Sequence, residues 1–282
     1  MKKKQKKLAS LIISVYNNTE FLRGVLDSVK IQTDQRFEVI ISEDGEHEEM
    51  KRFLEDYDYD VKIQHLTQED KGWRKNRALN RAALTAKTDH LIFIDGDCVL
   101  HPRFIEFHIK HFHPNYILAG KRIKLDEKTS KWLLSDERNI FKMPTYLKKN
   151  IIRLKKRGAD FIEEGFFLDP HSLWGFIPKL RTMSNLKGCN MSFSKKALLT
   201  INGFDEDYVL PAIGEDIDLQ WRFEGMGYKL KSLRNLAVQF HLHHKENWID
   251  QKENIALMKQ KQLLKQYYCL NGIEKKIPLH HD

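Results

Sequence analysis

The chain has 282 residues, 41% hydrophobic and 31% charged. That balance excludes a disordered chain and argues against a membrane-embedded one. Lys and Arg number 48 against 39 Asp and Glu, a net charge of +9 that favours anionic partners, although five lysines in the first seven residues supply more than half of the excess.

Residues 8–16 (LASLIISVY) predict a buried strand. Asn17, with Glu20 three residues on, reads as the cap of a helix whose Phe21, Leu22, Val25, Leu26 and Val29 share one face. A second strand spans 37–42 and ends in Glu43-Asp44-Gly45. Met50, Phe53, Leu54 and Tyr57 mark a helix, 61–66 a third strand and 75–86 a third helix. Residues 90–94 (HLIFI) form a fourth strand that runs into Asp95-Gly96-Asp97. Pro102 suits the first turn of the next helix, and 116–119 reads as a strand. Residues 128–164 predict a charged helical stretch, 171–240 a mixed pattern rich in turns, and 246–266 a closing amphipathic helix.

Alternating strands and helices imply an α/β fold built from parallel units covered on both faces. Ligands in such sheets bind beyond the carboxyl ends of the strands. Three strands here end in polar loops, at Tyr16-Asn17, at Glu43-Asp44-Gly45 and at Asp95-Gly96-Asp97. These loops locate the candidate site.

Asp95 and Asp97 can converge on one hard cation, although a DxD pair in a loop also reads as a solvated turn. Gly214-Glu215-Asp216-Ile217-Asp218 opens a helix, where the dipole alone explains some acids and a general base explains another. His241, His243 and His244 follow a strand-like run, and period-two spacing puts the first two on one face, as surface polarity or a third metal ligand. Trp73-Arg74-Lys75-Asn76-Arg77 places cations at a helix start, against the dipole, which suits a diphosphate or plain exposure. Residues 142–157 read as a basic amphipathic helix, packed by Tyr146, Leu147, Asn150, Ile151 and Leu154 or lying on an anionic membrane. The three cysteines build no disulfide framework, and no Cys-x-x-Cys pair offers a common zinc site. With no run of about 18 apolar residues and no signal-peptide core, the expectation is a cytoplasmic protein, peripheral at the inner face of the membrane if the basic helix binds there.

In order and spacing these motifs resemble glycosyltransferase family 2, the inverting enzymes of GT-A fold. The resemblance runs through Ile12-Ile13-Ser14-Val15-Tyr16-Asn17, Ile40-Ile41-Ser42-Glu43-Asp44-Gly45, the basic helix at Gly72–Asn80, Asp95-Gly96-Asp97, Gly188-Cys189-Asn190 with Asn202-Gly203-Phe204-Asp205, and Gly214-Glu215-Asp216. Val15-Tyr16 departs from the family's usual Pro and small residue. The stretch 188–230 also resembles the C-terminal part of β-galactosyltransferases and bacterial chondroitin polymerases, which supply a later histidine to the metal. Phe240-His241 ahead of Lys245-Glu246-Asn247 makes His241 the first choice and His243 the reserve.

The resemblance implies a GT-A, Rossmann-like fold, with a mostly parallel central sheet flanked by helices. It implies one domain, with a nucleotide-sugar-binding half at 8–120, a helical basic insertion at 121–170, an acceptor and catalytic half at 171–247 and a helical tail at 248–282. Tyr16 and Asp44 would hold a uracil, with Asn17 beside them. Lys75 and Asn76 would meet the diphosphate. Asp97, Asp95 and His241 would serve a Mn²⁺ or Mg²⁺ ion. Asp216 would take the acceptor proton, Glu215 would hold a sugar hydroxyl, and Trp174 and Asn190 would touch sugar. The partners would be a UDP-sugar and a glycan or lipid-linked acceptor, with no nucleic acid. A sugar-nucleotide nucleotidyltransferase is the rival enzyme, but its Gly-rich first loop is absent. A basic nucleic-acid-binding protein is the non-enzymatic rival, without a recognised module. Gln220-Trp221-Arg222 lacks the spacing of the processive synthases' QxxRW, so addition of one sugar is expected.

Overall fold

The computed structural model describes residues 6–58, 62–211, 214–245 and 249–276. The first half alternates as its apolar runs dictate: β1 (Ala9–Val15), α1 (Thr19–Lys30), β2 (Phe37–Glu43), α2 (Glu48–Asp56), β3 (Ile63–Leu66), α3 (Lys75–Thr85) and β4 (His90–Asp95). β5 (Cys98–Leu100), α4 (Phe104–His111), β6 (Tyr116–Ala119), β7 (Ile123–Lys124), α5 (Glu127–Leu134) and α6 (Asn139–Lys156) follow. After a 3₁₀ turn at Ile162–Gly165 come α7 (Ile177–Leu180), β8 (Asn190–Ser194), α8 (Lys195–Thr200), α9 (Ile217–Gly225), β9 (Lys229–Ser232), β10 (Gln239–His241) and α10 (Lys252–Leu263).

Seven strands form the main sheet, in the order β3-β2-β1-β4-β8-β6-β9. β3, β2, β1 and β4 run parallel, β8 is antiparallel to both of its neighbours, and β6 and β9 pair in parallel. The fold is α/β, with a mostly parallel central sheet flanked by helices. Leu11, Ile13 and Val15 of β1 pack with Leu22 and Val25 of α1, while Ile12 faces the other layer with Leu79 and Ala82 of α3. Burial on both faces is why these strands lack polar alternation. The chain steps from β1 outward to β2 and β3, then returns to the other side of β1 as β4. That reversal opens a crevice at the strands' carboxyl ends.

A second sheet, β5-β10-β7, carries the site's later residues. Val99, Ile123 and Phe240 from it pack with Leu133, Ile140, Met143 and Leu147 of α5 and α6. The single helical stretch expected over 128–164 is broken between α5 and α6. There Asp136 accepts from the Arg138 backbone N–H at 2.9 Å, and the Asn139 side chain donates to the Trp132 carbonyl at 2.7 Å. In α6 Ile140, Met143, Leu147 and Leu154 are buried, while Ile151, expected in the packed stripe, is 40% exposed beside Ile152 at 72%. The cap of α1 is Asn18, one residue later than expected, and its side chain accepts from Phe21 N–H at 2.9 Å. The closing helix is shorter than expected, and residues 246–248 at its expected start lie outside the described residues. Among the described residues, no helix is long and apolar enough to cross a membrane.

Candidate active site

The carboxyl ends of β1, β2 and β4 open into a cleft of about 770 Å³, lined among others by Tyr16, Asn17, Asp44, Lys75, Asp95 and Asp97. A second cavity of about 520 Å³ is lined by Glu215, Asp216, Gly188 and Lys187, and the two share Asp95. Gly96 makes the junction possible. Its N–H donates to the Ser14 carbonyl at 2.7 Å, and a Cβ there would stand 2.7 Å from the Val15 side chain.

Three ligand-type atoms converge at Asp97. Its Oδ2 lies 3.3 Å from His241 Nε2 and 3.1 Å from His244 Nε2, and the two imidazole nitrogens are 3.2 Å apart. Backbone pairing sets this up. β10 runs antiparallel to β5 with His241 opposite Cys98, so His241 arrives next to Asp97, and Leu242 N–H donates to the Asp97 carbonyl at 2.9 Å. Burial opposes ionisation of Asp97, but hydrogen bonds from His241 and His244, with the Arg122 charge, hold its carboxyl well below the usual range. One carboxylate and two imidazoles are a donor set that suits a divalent transition ion such as Mn²⁺. His243, the reserve choice, is exposed, and its backbone N–H donates to Ser130 Oγ instead.

Lys75 ties the two cavities together. Its Nζ lies 2.7 Å from Asp95 Oδ1 and 2.6 Å from Glu215 Oε1. Burial works against the Lys75 charge, but the two carboxylates lift its pKa above the ordinary lysine range. Burial pushes Glu215 up to about 7, opposed by Lys75 and reinforced by the charges of Asp95 and Asp216. Gly188 leaves room for this carboxylate, since a Cβ there would stand 2.2 Å from Glu215 Oε1. Asp216 precedes α9 and is half-buried, with Oδ2 3.3 Å from Gly188 N–H. Burial raises its pKa, while Lys187 and the N–H groups of Gly188 and Ile217 oppose the rise.

At the far end of the first cleft the Tyr16 ring is 49% exposed, packs edge-on against His47 and donates from its hydroxyl to Asp70 at 2.7 Å. Asp44 is fixed by Gln68 Nε2 at 2.7 Å and Arg74 N–H at 2.8 Å. Beneath it Glu43 is fully buried and bound by His47 and His65. Burial raises its pKa, but those two histidines outweigh it and hold the carboxyl below the ordinary range.

A family model described as glycosyl transferase family 2 matches residues 10–175, more than half of the chain. The chain belongs to that family. It is 24% identical over 278 residues to a chondroitin synthase of Escherichia coli, an alignment that covers 92% of this chain and 39% of that protein. Among solved structures it resembles S. aureus TarS in complex with UDP-GlcNAc, at 14% identity and a TM-score of 0.59, over 91% of this chain and 66% of that one. It also resembles a mannosyltransferase of Pyrobaculum calidifontis in complex with GDP-Man and Mn²⁺, at 14% identity and a TM-score of 0.54, over 93% of this chain and 64% of that one. These likenesses place the fold of this family 2 chain among the GT-A glycosyltransferases.

Asn76, Asn190 and Trp174 of this family 2 chain line neither cavity. Asn76 does not line the cleft. Its amide is buried and donates to the carbonyls of Asp205 at 2.7 Å and Gly214 at 3.0 Å, so it supports the turn before Glu215. Asp95, expected at the metal or ribose, is engaged by Lys75 and by Arg122 at 3.3 Å. Asn190 is fully buried and bonds Ala237 and His108. Trp174 is 58% exposed and lines neither cavity. Arg122, the approach of His244 to Asp97, and the meeting of Cys98 and Cys189, whose sulfurs lie with an Asp95 oxygen inside 4.8 Å, are not among the expected site features. Only the His-x-His-His pattern signalled any of these in advance.

Proposed function

We propose that the chain transfers one hexose, Gal, GalNAc or a related one, from a UDP-sugar to a hydroxyl of a cell-surface glycan, with inversion. The observation that carries this reading is the meeting of two cavities at Asp95, one bearing the Asp97–His241–His244 cluster and the other a half-buried acid, Asp216. The UDP-GlcNAc complex of S. aureus TarS and the GDP-Man and Mn²⁺ complex of the mannosyltransferase support it by shared fold. So does similarity to a chondroitin synthase, although the chain spans only 39% of that protein. In this reading 8–120 is the donor half, 121–170 a helical insertion, 171–247 the acceptor half and 248–282 a tail.

Asp216 accepts the proton of the acceptor hydroxyl. The oxygen forms a bond to the anomeric carbon as the bond from that carbon to the diphosphate oxygen breaks, and the electron pair leaves with UDP. Attack opposite the leaving group inverts the configuration. Tyr16 stacks on the base and Asp44 accepts from it. Lys75 holds Asp95 and Glu215 in place between donor and acceptor. Asp97, His241 and His244 would hold a divalent transition ion such as Mn²⁺, which when bound offsets charge growing on the diphosphate.

A donor panel tests the reading. The chain is incubated with UDP-Gal, UDP-GalNAc, UDP-Glc, GDP-Man and CMP-sialic acid, and release of the nucleotide is followed. Release from one of the three UDP-sugars is expected, abolished by EDTA. Release from GDP-Man or CMP-sialic acid alone would contradict it.

A further inference from the structure

The acceptor-side cavity holds more positive charge than its own acids use. Asp95 is bound by Lys75 and Arg122, and Glu215 by Lys75. Lys121 and Lys187 also line this cavity. Both are half-buried, and neither forms an ion pair among the described residues. Lys187 acts on Asp216 through its charge alone, without a salt-bridge contact. Neither ammonium is held in contact by a carboxylate among the described residues, so both can take an anion delivered by a ligand.

The same wall presents an aromatic face. Phe161 lines the cavity, is 41% exposed and stands at φ 53°, a left-handed conformation that a bulky residue rarely adopts. Asp160 Oδ1 holds its backbone N–H at 2.8 Å, and Lys121 Nζ lies 5.7 Å from the ring centroid. The ring thus lines the cavity with a cation beside it. An aromatic face next to ammonium groups and a carboxylate base matches a sugar ring that carries an acid.

We propose that the acceptor is an anionic saccharide. Its carboxylate or phosphate is bound by Lys121 and Lys187, its ring lies on Phe161, and its hydroxyl faces Asp216. This rests on the assignment of the second cavity to the acceptor.

The test uses the full chain and three probes: methyl β-glucuronide, methyl β-glucoside and methyl β-glucoside 6-phosphate. Dissociation constants are measured by ligand-observed NMR, with and without UDP and Mn²⁺. Each hydrogen bond between charged groups contributes enough for about a tenfold preference, so at least one anionic probe should bind about tenfold tighter than the glucoside. Which anionic probe wins separates a uronate from a phosphate. The preference should shrink at salt on the order of 0.5 M. It should vanish in Lys121→Gln/Lys187→Gln, while that variant's UDP affinity, the control for folding, stays unchanged. Phe161→Leu should weaken all three probes together. Equal binding of the three, no binding of either anionic probe, or a preference that survives the double substitution would overturn the proposal. Absence of UDP binding would count against the donor-site reading alone, because the probes are also titrated without nucleotide.

Discussion

Asp216→Asn should leave UDP binding intact and lower sugar transfer by about 10²–10⁴-fold, the contribution of a positioned base. Asparagine keeps the shape of the side chain. Its carbonyl oxygen can still accept from Gly188 N–H, which lies 3.3 Å from Asp216 Oδ2. What it loses is the ability to take a proton. In the unsubstituted chain burial raises the Asp216 pKa, so the acid limb of the rate profile should lie above that of an exposed aspartate. The rate should fall as pH drops through this limb, because only the ionised form is a base. The variant's residual rate should lack the limb. Steady-state rates of both forms from pH 4 to 8 check this. Unchanged turnover in the variant would remove Asp216 from the chemistry and leave Glu215 as the candidate.

Arg222→Met should destabilise the fold by about 3–5 kcal/mol, the usual result of stripping one partner from a buried ion pair. Arg222 is 1% exposed. Its Nε lies 2.7 Å from Asp218 Oδ2, and its Nη1 donates to the carbonyls of Ile201 at 2.8 Å and Gly203 at 2.7 Å. Methionine fills the space and satisfies none of them. Asp218 would keep the Tyr208 hydroxyl at 3.1 Å, too little for a buried carboxylate. Denaturant unfolding of both forms measures the loss, and a change below about 1 kcal/mol would show that water or a shifted side chain takes over. Arg222→Met/Asp218→Leu should recover much of the stability, since no orphaned charge remains. The arginine of Gln220-Trp221-Arg222 thus anchors α9, the helix that Asp216 precedes.

The first cleft was legible because β1, β2 and β4 are continuous apolar runs, and a covered parallel strand leaves its chemistry at its end. Tyr16, Asp44 and Asp97 follow from that rule. The helix start at 74–77 was harder. Successive residues on a helix turn by about 100°, so Lys75 faces the cleft and its neighbour Asn76 faces the Gly214 turn. Basic character alone does not distinguish them. His244 escaped period-two reasoning because β10 stops at His241. Beyond that point the chain leaves the extended register, and His244, not His243, returns to Asp97. Arg122, Cys98 and Cys189 meet near Asp95 only through pairing of distant strands, for which local pattern carries no signal.

The proposed metal-dependent nucleotide site is built on Asp97, His241 and His244. Thermal unfolding with UDP, GDP or CMP, each with Mn²⁺ or EDTA, tests it most directly, because a ligand that binds only the folded state must raise the melting temperature. UDP with Mn²⁺ should stabilise the chain, UDP with EDTA should do so far less, and Asp97→Ala should abolish the difference. Stabilisation by UDP that is equal in EDTA, or that persists in Asp97→Ala, would contradict it.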